Sequence, residues 1–180
     1  MVLTISGFLC KILGAFYRIP LSNILGVEGI GLYQMIFSLY SLALVVAGGA
    51  VPTSMAITIA KMRANCYGNV KKVFSKYFFI SFSFGVLFFL IFLIFAPIIS
   101  NLQGNSLATL GYRYMSFAVL FSSLLAPFRG LFQGYENMTP TAISQIIAQF
   151  FKLALGLTFA YLFSKVSLQA GVAGAMLGIT

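Results

Sequence analysis

The stretch VFSKYFFISFSFGVLFFLIFLIFAPII, residues 73–99, carries one charge, Lys76, and otherwise runs apolar from end to end. A helix of that length reaches about 40 Å, and the hydrocarbon layer of a membrane is about 30 Å thick. Its apolar residues are continuous and do not alternate at period two, which excludes a barrel strand. It reads as a membrane-spanning helix. The rest of the chain has the same character: 61% of the 180 residues are hydrophobic and 7% charged, with 20 Phe, more apolar side chain than a water-soluble core of this size uses.

Outward from residues 73–99, clusters of Gly, Pro and polar residues divide the chain into further apolar runs. These predict helices over residues 2–24, 30–61 with a break near 48–52, 107–125 and 141–163, and a sixth over 168–180. The fold class is all-α, a polytopic transmembrane helical bundle forming a single domain over residues 1–180. Residues 47–52, AGGAVP, set two glycines beside a proline that removes a backbone hydrogen bond. Gly48, Gly49 and Pro52 are therefore a candidate hinge. Met1 is followed at once by apolar residues, and the last run is too short to cross a membrane, so the expectation is a fragment cut within its first and last helices.

Lys and Arg number 11 against two acids, Glu28 and Glu136, and there is no His. Paired carboxylates, a Ser-His-Asp group and a His-rich metal site have no raw material here, so neither enzymatic activity nor a metal or cofactor is expected. Cys10 and Cys66 fall in a helix and in a basic loop, which reads as two free thiols. Lys61, Arg63, Lys71, Lys72 and Lys76 crowd the segment 61–76, whereas the other loops carry little charge. The positive-inside rule makes that segment and the N-terminus cytoplasmic, with Glu28, Asn101 and Lys165 outside. The same basic segment serves topology first and anionic lipid headgroups second.

Two runs carry charge where a membrane helix should have none. Lys11 and Arg18 are seven residues apart, hence on one face and about 10 Å apart along the axis. Thr4, Gly7, Gly14 and Ser22 extend that face. In the fifth run Thr141, Gln145, Gln149, Lys152 and Gly156 make a second polar stripe, with Lys152 near mid-span. A central Lys costs about 2.5 to 3.5 kcal/mol on insertion scales unless it meets water, carbonyls or an anion. Lys11, Arg18, Gln145, Gln149 and Lys152 are accordingly the candidate binding residues, for an anionic substrate; a helix-packing role for the Gln pair is the alternative. Arg113 and Arg129, near helix ends, read as snorkelling to headgroups.

The segments KILGAFYRIPLSNILGVEGIGLYQ, GGAVPTSMAITIAK and FRGLFQGYENMTPTAISQ resemble, in order, the polysaccharide-biosynthesis and stage V sporulation protein B branch of the multidrug/oligosaccharidyl-lipid/polysaccharide exporter superfamily, which includes the lipid II flippases. The resemblance implies a two-lobed transporter of the bacterial cytoplasmic membrane, with this chain as most of the first lobe. It further implies export of a lipid-linked oligosaccharide or lipid II precursor by alternating access, with cations of the first helix on the diphosphate. Lys11 matches a basic position of that family, Tyr17 stands nearer than Arg18 to the second, and the cation that the flippases place before the Gly-rich break is replaced by Leu44, Val45 and Val46. A cation-coupled multidrug exporter is the alternative within the superfamily, disfavoured by the lack of acids in the spans; a non-transporting scaffold for wall or sporulation assembly is the alternative outside it.

Overall fold

The computed structural model describes residues 2–65 and 68–178, except for the side chains of residues 2–5, 47 and 48. Helices run over α1 (Val2–Leu44), α2 (Ala50–Ala64), α3 (Val70–Leu102), α4 (Thr109–Gly134), α5 (Thr139–Ser164) and α6 (Leu168–Leu177), with a π-helical turn at Val45–Gly49 and a 3-10 turn at Ser106–Ala108. Among the described residues four of these helices are long and apolar enough to cross a membrane. Side-chain caps fix three of the starts. Asn69 accepts from the amide of Lys71 at 3.0 Å, Asn105 from Leu107 at 3.0 Å and Ser167 from Ala170 at 3.1 Å, each satisfying a donor that the first turn leaves open.

α1 is a hairpin rather than a rod. Gly26 sits inside it at φ 68° and ψ −174°, outside the helical region. Tyr17 and Tyr33 flank it, and their ring centroids are 6.3 Å apart, whereas 16 residues of straight helix would separate them by about 24 Å. Residues 2–25 and 27–44 are thus two arms folded back on each other. Only glycine takes a positive φ without strain, and a Cβ at Gly26 would touch nothing within 4 Å. Gly26→Ala should therefore lower stability through the backbone alone, by about 1 to 2 kcal/mol. Thermal unfolding of the full-length protein in detergent measures this, and an unchanged midpoint would mean that the turn is not held.

The core lies where the hairpin meets α4, α5 and α6. Tyr17, Leu21, Leu25, Ile36 and Tyr40 of α1 pack with Tyr112, Met115 and Val119 of α4 and Val172 and Met176 of α6. Residues 171–176 of α6 are all buried, and small residues make that closeness feasible. A Cβ at Gly174 would stand 2.6 Å from the Phe159 carbonyl oxygen of α5, so only glycine fits. α3 joins through α4, where the Ser81 hydroxyl donates to the Ser123 carbonyl at 2.6 Å. Its other face exposes Phe79, Phe84, Leu87 and Ile94, as contact with lipid tails requires.

Two boundaries differ from the sequence reading. The helix expected over 107–125 begins as the 3-10 turn and continues to Gly134, so the residues FRGLFQG are helical rather than a loop. Packing explains this: Gly130 and Gly134 let the α4 backbone lie against Pro52, Met55 and Ile59 of α2, which holds the turns after Pro127 in helical form. The break expected near 48–52 is the π turn at Val45–Gly49, a few residues earlier, and Pro52 lies in the first turn of α2, where it is well tolerated. Cys10 carries a free thiol, and Cys66 lies outside the described residues.

Candidate functional site

On the second arm of α1, Tyr33, Phe37 and Tyr40 recur at spacings of four and three, so they share one helix face. Tyr33 and Phe37 stack at 5.8 Å with their planes 11° apart, Phe37 and Tyr40 meet at 5.8 Å, and Tyr17 from the first arm closes on Tyr33. Four rings form one ladder along the hairpin. Two cations attend it. The Lys152 ammonium of α5 lies 5.3 Å from the ring centroid of Tyr17 and 5.3 Å from that of Phe37. Arg18 lines a cleft of about 230 Å³ with Tyr33 and Gln34.

Lys152 reaches this place because α5 lies close against the hairpin. Gly156, one turn further along the same stripe, is buried on Tyr17, and a Cβ there would stand 2.9 Å from the phenol oxygen. The negative faces of two rings attract the ammonium by about 2 kcal/mol in a desolvated setting. That offsets most, not all, of the insertion cost of about 2.5 to 3.5 kcal/mol. Among the described residues no carboxylate reaches Lys152: Glu28 and Glu136 are both exposed, beside the Gly26 turn and in the turn between α4 and α5. The cluster carries uncompensated positive charge.

The sequence-predicted residues divide accordingly. Lys152 lies on the rings of Tyr17 and Phe37, and Arg18 lines the neighbouring cleft at Tyr33. Gln145 lines a second cleft, of about 400 Å³, with Arg129, Thr141 and Gly49. Gln149 is partly buried between these places on the same stripe, and Lys11 is exposed and lines neither cleft. Lys11 and Lys152 therefore do not face one common cleft within this chain. The first-helix stripe turns outward at Lys11, Arg18 and Ser22, while Tyr17, Leu21 and Leu25 turn inward. The aromatic ladder is not among the sequence-predicted residues, and Arg129 is there only as a helix-end cation. The 33, 37, 40 spacing was a signal for the ladder; Arg129 lies five residues before the end of α4 and lines the cleft of about 400 Å³.

A family model for polysaccharide biosynthesis proteins matches residues 1–180. The chain belongs to that family. This agrees with the exporter superfamily that the three sequence segments resemble, and together with the four membrane-length helices it supports a multi-pass membrane protein. Members of the family from Bacillus subtilis (strain 168) align along nearly all of it. The chain is 30% identical over 179 residues to the uncharacterized membrane protein YabM, covering 98% of this chain and 33% of that protein. It is 28% identical over 175 residues to the lipid II flippase MurJ, covering 92% and 32%. It is 27% identical over 183 residues to the stage V sporulation protein B, covering 98% and 35%. The chain thus spans about a third of the length of these relatives. No solved structure matches it.

Proposed function

We propose that the protein to which this chain belongs moves an anionic, undecaprenyl-diphosphate-linked precursor of peptidoglycan or polysaccharide across the bacterial cytoplasmic membrane by alternating access. The observation that carries this reading is Lys152, a mid-span ammonium held on two aromatic rings, with Arg18 in the cleft at Tyr33 and, among the described residues, no carboxylate in reach. Such charge is stabilised best by an anion that comes and goes. Arg18, Lys152, Gln149 and Gln145 contact the polar head, and Lys11 extends the cationic face from the exposed side of α1. The lipid tail stays among the apolar outer faces, so only the head is desolvated. Gly48, Gly49 and Pro52, at the π turn and the start of α2, form the hinge. The segment 61–76 faces the cytoplasm, where its cations meet anionic lipids.

The test uses the full-length parent protein. It is expressed in a bacterium depleted of its own lipid II flippase, and lipid II on the outer leaflet is measured. Wild type should restore surface lipid II, and Lys11→Ala should remove most of that rescue. A well-expressed wild type without rescue would overturn lipid II as the substrate and leave another lipid-linked glycan. Rescue indifferent to Lys11 would remove that residue from the site.

A further inference from the structure

We infer that the cleft between α2, α4 and α5, at Arg129, is a second anion site, built for a phosphate group carried on a small hydroxylated head. Arg129 is partly buried in its wall, and among the described residues no acid lines the cleft; the neighbouring Ser122 and Thr53 are neutral. A guanidinium presents a planar fork that fits two phosphate oxygens at once, which makes phosphate a better match than a point anion. Around it the cleft offers Gln133, Gln145 and Thr53, amides and a hydroxyl suited to the remaining phosphate oxygens and to hydroxyls beyond them.

Two independent features mark the place as built. Thr141 lines the cleft, yet its buried hydroxyl oxygen has no hydrogen-bond partner, an arrangement that costs stability unless something else satisfies it. One wall is the π-helical turn, with Val45 and Gly49 at the surface of the cleft, and π turns inside membrane helices concentrate at functional positions. The volume, about 400 Å³, holds a headgroup and not a long isoprenoid or acyl chain. Neither Lys152 nor Arg18 lines this cleft, so the inference does not depend on what the Lys152 cluster binds; Gln145 is the one residue assigned to both.

The experiment is thermal unfolding of the full-length protein in a phosphate-free maltoside detergent. The midpoint is followed against rising concentrations of inorganic phosphate, of dihexanoyl phosphatidylglycerol and of a neutral short-chain diacylglycerol. A ligand that binds only the folded form raises the midpoint saturably. The phosphate-bearing lipid should do so and the neutral one should not. If inorganic phosphate also does, the natural source includes soluble phosphates; if the lipid alone does, it is a lipid headgroup, and either result supports the site. Arg129→Gln should weaken the response at least tenfold. Gln145→Glu, which supplies Arg129 with a carboxylate of its own, should abolish it in a protein that still folds, and Lys165→Gln, exposed and outside both clefts, should leave it unchanged. Equal responses in wild type, Arg129→Gln and Gln145→Glu would overturn the inference, as would no saturable response in wild type. A response lost in Lys152→Gln but kept in Arg129→Gln would overturn it while leaving the transport reading intact.

Discussion

Lys152→Met in the full-length protein should fold at least as well as wild type and yet lose transport by about a hundredfold. The two halves of that result have separate causes. Lys at the centre of a span costs about 2.5 to 3.5 kcal/mol on insertion scales, and a large apolar residue there gains a few tenths. Contact with the rings of Tyr17 and Phe37, at 5.3 Å each, returns about 2 kcal/mol. The remainder favours Met, whose unbranched side chain occupies much the same space and keeps a sulfur contact with the aromatic faces.

Transport depends on the opposite term. A charge-assisted contact between ammonium and phosphate is worth about 1.5 to 3 kcal/mol, and about 2.8 kcal/mol corresponds to a hundredfold in an equilibrium constant. Lys152→Arg should retain a large part of the activity, because the charge and the ring contacts persist. Surface lipid-linked precursor in depleted cells measures transport, and the unfolding midpoint of purified protein measures stability. Full transport by a stable Lys152→Met protein would show that the ammonium only packs on its rings, and the proposed role would fall.

How much of this was legible in the sequence depends on how far each property is local. The apolar run at residues 73–99 dictates a membrane helix, since no other structure satisfies its backbone in lipid. The stripe from Thr141 to Gly156 was legible because a helix period places those residues on one face, and the structure buries that face against the hairpin. What lies at the end of the Lys152 side chain was not legible. Its partners come from residues 17 and 37 of another helix, and their meeting depends on the turn at Gly26. The first-helix stripe was legible as a distinct face, but the direction in which it turns was not: Tyr17, Leu21 and Leu25 fill the interior of this bundle, so Lys11 and Arg18 lie on its outer side. Arg129 was read as a helix-end cation because the glycines after it look like loop punctuation. In contact with α2 they are close-packing residues.

That contact sets the second large effect: Gly130→Val should leave the full-length protein largely unfolded or unstable in detergent, with a loss of about 3 kcal/mol. A Cβ at Gly130 would lie 2.9 Å from Pro52 Cα, 2.9 Å from the Pro52 carbonyl oxygen and 3.0 Å from Met55 Cβ. All three are backbone or backbone-proximal atoms, so no rotamer change relieves the overlap, and valine adds two further methyl groups that rarely leave their preferred rotamer. Overpacking in a well-packed interior costs about 1 to 3 kcal/mol, and an obstacle that cannot swing aside belongs at the upper end. Gly111→Ala is the matched control. It also adds a carbon at a buried glycine, but the nearest atom is the terminal methyl of Ile36, which a rotamer change withdraws, so its cost should stay below about 1.5 kcal/mol. The difference between the two midpoints reads whether α2 and α4 touch through backbone. If Gly130→Val unfolds at the wild-type midpoint, α4 does not clamp Pro52, and the helical continuation from Pro127 to Gly134 needs another cause. If it is destabilised as expected, the segment after Pro52 is anchored on α4, and any bending of this arm must occur between the π turn at Val45–Gly49 and Pro52, against the wall of the Arg129 cleft.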